Sequence, residues 1–308
     1  MPVTPFDEYP LQQLESTFDH VEDSDRRWFE RYWLCVHAPD GTTALSAGIG
    51  VYPNANLMDG FVAAVAAGRQ TTVRSARTLG RDRSDTRVGP LKAEVVRGLT
   101  SLRFSCATDE LELELELVSI APPLDRTRLP FLRLADGSLH QHASVFAQAG
   151  HARGRLRVGG LEHEVDGWPF ARTNAWGIRS HAGGLDAVAP GWTPSAPFLS
   201  ALAGDRWLCL LEDGSWKLDD DAIRVQAGGE ELELTPLATV GLSGGWGGHA
   251  DFFDGLYAGD AAYEGLTETD VVDAPTAGSL TGRDDHVVRI AGGDGLEAVG
   301  VLELGKRL

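Results

Sequence analysis

The sequence predicts an all-β protein made of two β units, and three observations carry that prediction. Short runs of aromatic, β-branched and leucine residues recur along the chain between Gly, Pro and Asp-Gly turns, which the 37 Gly and 15 Pro supply in number. The 308 residues are enough for two cores of about 150 residues each, an ordinary domain size. Finally, Asp205-Arg206-Trp207-Leu208-Cys209-Leu210-Leu211, followed by Asp213-Gly214, echoes Arg31-Tyr32-Trp33-Leu34-Cys35 with its Asp40-Gly41. The expected units are residues 1–165, including an N-terminal arm, and residues 166–308.

Taken in order, residues 1–30 are acidic and lack periodic apolar positions until Trp28 and Phe29, so they read as an arm lying on the first unit. Arg31 to His37 is the first strand, and Asp40-Gly41 turns it into Thr42 to Tyr52. Tyr52-Pro53-Asn54 breaks that strand. Asn56 to Gly68 carries an Asn cap, an Ala-rich interior and a terminal Gly, all local helix signals. Arg81 to Pro90 alternates charge signs and reads as a solvated loop knitted by weak ion pairs.

Leu91 to Arg97, Ser101 to Cys106 and Glu110 to Ile120 read as strands. In the last, Leu111, Leu113, Leu115 and Leu117 alternate with Glu112, Glu114 and Glu116, which puts leucines toward a core and carboxylates toward water as solubilising edge charges. Phe131 to Leu134, an Asp136-Gly137 turn and Ser138 to Ala149 follow. His140 and His142 share one strand face, but spacing fixes no third ligand, so they read as a polar outer face and no metal is expected. Further strands are Ile223 to Gln226, Glu230 to Leu234, Asp285 to Ile290 and Leu296 to Leu304.

Composition excludes several functions. A net charge of −18 and a pI near 4.8, with Lys and Arg scattered among acids, repel a phosphate backbone or an anionic membrane, so no nucleic-acid partner and no integral membrane association are expected. Cys35, Cys106 and Cys209 are odd in number and form no Cys-x-x-Cys, so they read as small core residues. The amino terminus lacks a basic segment followed by an apolar one, and no apolar run approaches the about 18 residues of a membrane span, which predicts a cytoplasmic protein. Gly241 to Gly255 fits neither a dinucleotide fingerprint nor a P-loop, and no cofactor is expected. Neither Gly-x-Ser-x-Gly nor His-Glu-x-x-His is present.

The stretch Glu162 to Arg179 gathers Trp168, Trp176, Arg172, Arg179 and Asn174 just past the midpoint. It reads either as a hinge whose side chains reach the space between two β units, where ligand sites form, or as a Trp-rich plug of a barrel end. Arg172, Trp176, Gly177 and Arg179 resemble the Arg-Asp-(His or Arg)-Ser-Trp-Gly-Val-Arg signature of the carotenoid 1,2-hydratase-like and AttH-like proteins. Tyr52-Pro53-Asn54, the Asp82 to Pro90 loop, and Gln148 with the segment after it resemble other motifs of that family. The resemblance implies two tandem lipocalin-like antiparallel β-barrels, with the signature opening the second. It also implies a strand from about Phe61, where local propensity reads helix, and the strand is retained. Thr173, Asn174 and Ala175 replace the acidic, basic and hydroxyl members of the signature.

These residues predict a site for a hydrophobic small molecule of isoprenoid, steroid or polyketide type at the barrel junction, enclosed by Trp168, Trp176, Trp246, Phe252 and Phe253. Asp254, kept protonated by apolar surroundings, is the candidate acid for hydration, dehydration or isomerisation, and His249 its relay. Arg172, Asn174 and Arg179 are candidates to orient a ligand oxygen, and Tyr32 and Gln148 join them as binding residues. Two alternatives stay open, a non-catalytic carrier or sensor and a cofactor-free cyclase. A homodimer is also left open.

Overall fold

Trp28–His37 (β1), Ala44–Tyr52 (β2), Leu57–Ala66 (β3) and Arg69–Thr78 (β4) run as consecutive antiparallel strands. The computed structural model describes residues 5–9, 23–80, 82, 85–125, 131–135, 138–179, 194–204, 206–211, 215–218, 223–227, 229–242, 266–280 and 284–306. The turn between β1 and β2 is the expected one: Gly41 adopts φ +75° and the Thr42 amide donates to the Asp40 carboxylate at 3.0 Å. After β2 a 3-10 turn at Pro53–Ala55 reverses the chain, and the Asn54 side chain donates to the carbonyls of Asp23 and Asp25, both at 2.7 Å, fastening the arm where it enters β1.

β3 is the strand where local propensity reads helix. Met58, Val62, Ala64 and Ala66 face the interior of the first barrel, while Phe61, Ala63 and Val65 face the second sheet. A strand buried on both faces needs apolar residues at every position, and small ones where two layers meet closely. That requirement produces the Ala-rich run that imitates a helix, and tertiary packing overrides the propensity.

Arg87–Val88 (β5), Leu91–Arg97 (β6), Ser101–Ala107 (β7), Leu111–Ser119 (β8), Leu124–Asp125 (β9), Phe131–Ala135 (β10), Ser138–Val158 (β11) and Leu161–Arg179 (β12) complete the N-terminal part. β12 runs without a break across the 165/166 boundary expected from the sequence. The leucines of β8 are buried and its glutamates exposed, as expected. β8 is not an edge, however, since it lies between β7 and β11. Glu112, Glu114 and Glu116 stand directly opposite Arg157, Arg155 and Arg153 of β11, and Arg157 closes on Glu112 at 2.9 Å. They belong to a cross-strand charge ladder.

Pro194–Ala203 (β13), Arg206–Leu211 (β14), Ser215–Leu218 (β15), Ile223–Ala227 (β16), Glu230–Val240 (β17), Leu266–Val271 (β18), Asp285–Ala291 (β19) and Glu297–Lys306 (β20) make up the rest. Among the described residues, all strands fall in two curled antiparallel sheets, the all-β fold of two tandem lipocalin-like units. The first sheet is ordered β18-β4-β3-β2-β1-β12-β11-β8-β7-β6-β5, with β9 and β10 also on β11. The second is ordered β14-β13-β20-β19-β17-β16-β15. The first sheet curls until apolar residues of β1, β2 and β3 meet Leu102, Phe104 and Leu113 of the far wall. β18 extends the edge of that sheet from the C-terminal half, held by a 2.6 Å ion pair from Arg74 to Glu268.

The two sheets meet along a packed seam. Trp33, Cys35, Val145, Ala147 and Ala171 of the first touch Phe198 and Val301 of the second, with Trp33 edge-on to Phe198 at 5.7 Å between ring centres. Ala44, Phe61, Ala63 and Val65 meet Ala238, Val240 and Val287 beside them. Neighbouring residues divide between environments: Phe198, Val287 and Val301 face the seam, whereas Leu199, Val288 and Leu302 face the core of the second unit.

One carboxyl is buried in this seam. Asp285 receives hydrogen bonds on Oδ2 from Trp33 Nε1 at 2.9 Å and from Ser46 Oγ. Burial raises its pKa to about 8, the charge of Glu303 acts in the same direction, and the two hydrogen bonds pull partly back. An unfolded aspartate titrates near about 3.9, so between these values the native state holds a proton that the unfolded chain has released. The stability this proton contributes is fully present below about pH 4 and is lost as pH rises through about 8, with a slope approaching about 1.4 kcal/mol per pH unit. Urea unfolding midpoints should therefore fall between about pH 5 and pH 8 more steeply for the wild-type chain than for Asp285→Asn. Equal slopes for the two proteins would remove Asp285 as the titrating group.

Candidate ligand-binding site

Strand parity sorts the residues of β12. Phe170 faces the first core, Arg172 and Asn174 meet buried polar partners, and Trp176 and Ile178 pack with Trp28 and Phe146, so the even positions point inward. Ala171 and Ala175 lie in the seam with the second sheet, on the opposite face. The same parity holds on β1, where Tyr32, Leu34 and Val36 are interior and Trp33 and Cys35 are in the seam. Register then builds rungs across three strands. Tyr32, Asn174 and Phe146 form one, Leu34, Arg172 and Gln148 the next, and Glu30, Trp176 and Ser144 lie on the other side.

Tyr32, Gln148, Arg172, Asn174 and Trp176 are thus brought together on the interior surface of the first barrel. Between the two units the described residues are packed against one another, and alternation turns these five side chains the other way, toward the first barrel. Arg179 ends β12 opposite Gln141 of β11. Trp246, His249 and Asp254, with Phe252 and Phe253, lie outside the described residues. Trp168 sits farther along β12 in the first core, edge-on to His163. His142 is exposed, and among the described residues no cluster of His, Cys, Asp or Glu could hold a metal ion.

The centre of the site is an ion pair. Pro5–Glu8 forms a 3-10 turn that carries the Glu8 side chain into the barrel, where it is 1% exposed. Arg172, 3% exposed, donates Nη1 to Glu8 Oε1 and Nη2 to Oε2, the latter at 2.6 Å. Oε2 also accepts the Leu99 amide at 2.9 Å, and the Glu8 carbonyl accepts the Tyr32 hydroxyl. Burial, followed by the charges of Glu30 and Glu8, holds the Tyr32 phenol well above its usual pKa, so it stays a neutral donor. Arg172 Nη2 also donates to Gln148 Oε1, and Gln148 Nε2 donates to the carbonyls of Leu99 at 3.0 Å and Ala121 at 3.1 Å. The guanidinium lies 5.5 Å from the centre of the Phe146 ring. Asn174 Nδ2 donates to buried Glu30 at 3.4 Å.

An apolar wall adjoins this network. Phe146 meets Trp176 at 6.4 Å and 62°, with Trp28 and Ile178 completing the cluster. The Trp28 indole Nε1 is buried and has no hydrogen-bond partner among the described residues. Gly177 has φ +137°, and a Cβ there would run into the backbone of His142 and Ala143, so the glycine after Trp176 lets β11 approach β12 closely. Burial pushes the Cys106 and Cys209 thiols up to about 12 and raises Cys35 as well, which removes a cysteine nucleophile from consideration.

Sequence reasoning missed Trp28, Glu30 and Phe146, although each stands two or four positions from Tyr32 or Gln148 on the same face, and strict parity would have found them. Glu8 had no such signal. It lies 164 residues from Arg172 in sequence, in a segment expected to rest on the barrel.

Removing one member of a buried pair strands the other charge, at a cost of about 3 kcal/mol or more, whereas replacing both by apolar residues is far milder. Glu8→Ala is expected to lose that much in urea unfolding, and Glu8→Leu combined with Arg172→Met to recover most of it. A double variant as unstable as the sum of its single variants would show that the two side chains are not coupled.

Among the described residues no helix is long and apolar enough to cross a membrane. Solved structures similar to this chain include kievitone hydratase from Nectria haematococca, at 10% identity over 90% of this chain and 88% of that chain, with a TM-score of 0.44. CghA, alone and with Sch210972, is 13% identical over 91% of this chain and 88% of that chain, with TM-scores of 0.44 and 0.45. Similarity at this level bears on neither substrate nor mechanism. A search of curated proteins found no match. Residues 3–199, more than half of the chain, match the family of unknown function DUF8625, and the protein belongs to that family.

Proposed function

We propose that the first barrel takes up a hydrophobic small molecule of isoprenoid, steroid or polyketide type, holds its oxygen at the Arg172 network, and transforms it by proton transfer. The observation that carries this reading is a fully buried, bidentate Arg172–Glu8 pair beside the Trp28, Phe146 and Trp176 wall. A barrel filled only for stability is better served by apolar residues, since desolvating two charges offsets most of their attraction. Arg172, Tyr32 and Gln148 supply fixed donors and acceptors inside an aromatic enclosure, the composition of a small-molecule site.

The resemblance to carotenoid 1,2-hydratase-like proteins supports acid-catalysed addition or loss of water, with Asp254 as the acid and His249 as its relay. The altered signature does not count against chemistry in the barrel. Thr173 and Ala175 occupy the outward positions of β12, so the acid and hydroxyl missing there take nothing from the interior, and only Asn174 alters the interior set. A carrier is the second reading, favoured by one fact: the side chain that would anchor a ligand is already bound to Glu8.

Asp254→Asn is expected to abolish turnover of an alkene or tertiary alcohol while leaving binding intact. Product formation followed by mass spectrometry, beside tryptophan quenching for binding, checks this. Undiminished turnover would remove Asp254 from the mechanism.

A further inference from the structure

Resting on the proposed ligand site, we infer that Glu8 occupies a receptor for a carboxylate, and that the cognate ligand is an apolar molecule bearing a carboxylate head that enters when the arm withdraws. Three donors converge on the Glu8 carboxyl group, namely both Arg172 Nη atoms and the Leu99 amide. This forked geometry matches a carboxylate and is not demanded by a hydroxyl or a ketone.

The receptor exists apart from the arm. Gln148 fixes Arg172 from the barrel wall and also ties down the Leu99 carbonyl and Ala121. Leu99 sits at φ +58°, a left-handed conformation that a branched residue adopts only where the surroundings enforce it. In that conformation its amide serves Glu8, its carbonyl serves Gln148, and its side chain packs on the aromatic wall. The unpartnered Trp28 Nε1 within that wall offers a further donor to an incoming oxygen.

In the described segment of the arm, Pro5 lies against Gly98, a position with no room for a Cβ, the Glu8 carbonyl accepts the Tyr32 hydroxyl, and Pro5 and Tyr9 are exposed. A free carboxylate competes with this tethered one, so its apparent affinity is reduced by the fraction of time the arm is in place.

The test compares the full-length chain with Glu8→Ala, using propionate for the receptor alone and dodecanoate and 1-dodecanol for receptor plus wall. Propionate is expected to raise the melting temperature of Glu8→Ala by about 3 °C or more over equal concentrations of chloride or propionamide, and to leave the wild type unmoved. Arg172→Met in the Glu8→Ala background should abolish that rescue. By tryptophan quenching, dodecanoate should bind Glu8→Ala at least about tenfold tighter than wild type, with dodecanol equal in both. Propionate no better than chloride, or dodecanoate no tighter in the variant, overturns the carboxylate receptor. Dodecanol binding neither protein while propionate still rescues keeps the receptor and overturns the hydrophobic site it was joined to. Should Glu8→Ala not fold, Glu8→Gln is carried through the same measurements with the same deciding outcomes.

Discussion

The period of two along β1, β11 and β12 is the constraint on which the molecule depends. Over the stretch they share, each of these strands is at once a wall of the first barrel and the surface on which the second sheet packs, so both faces are buried there. From Trp168 onward, even residues of β12 serve the barrel and odd residues the opposite face, and a slip of one position would exchange Arg172 and Asn174 with Ala171, Thr173 and Ala175. Such a slip would push a guanidinium into an apolar seam and leave Glu8 without its partner, which pins the register more firmly than hairpin turns alone.

Much of the fold was legible in the sequence because most of its strands carry local signals. The β8 alternation of Leu and Glu, the Asp40-Gly41 turn and the Tyr52-Pro53-Asn54 break each contain their own physical cause within a few residues. β3 did not, since Ala-rich sequence is favourable for a helix and is also what a strand needs when layers close on both sides. The site divided in the same way. Five binding candidates fell on one inner surface because the residue types suited to holding a ligand oxygen are also the types that stand out in an apolar barrel. The face they occupy was not legible because a single strand was credited with one environment when it has two. Glu8 was invisible for a different reason: a carboxylate in an acidic arm has no local mark that sets it apart from its neighbours.

Two of the buried carboxyl groups, Asp285 and Glu8, show how differently such groups are accommodated. Asp285 faces neutral donors, Trp33 and Ser46, and stands near the charge of Glu303, so holding a proton is its least costly state. Glu8 faces a guanidinium and an amide, which donate three hydrogen bonds to its carboxyl group. The first lies in the seam, where it joins two sheets through hydrogen bonds. The second lies in the barrel, on the arm, bonded to Arg172 and the Leu99 amide, whereas Asp285 can leave its place only if the sheets part.

Parity also changes how the signature around Arg172 is to be read. A loss of acidic and hydroxyl side chains at 173 and 175 looks like a loss of chemistry when the motif is taken as a string. On a strand with two buried faces those positions answer to Phe198 and Val301 across the seam, and a small residue such as Ala175 is what close packing asks of them. The positions that face the barrel interior are 172, 174 and 176, together with Tyr32 and Gln148 on the flanking strands. Of these interior side chains, Arg172 bonds Glu8, the Asn174 amide bonds Glu30, and Trp176, with Ile178, packs against Trp28 and Phe146. Asn174 thus meets its buried carboxylate with a neutral amide, and Arg172 is the buried cation on this strand to which the described part of the arm is bonded.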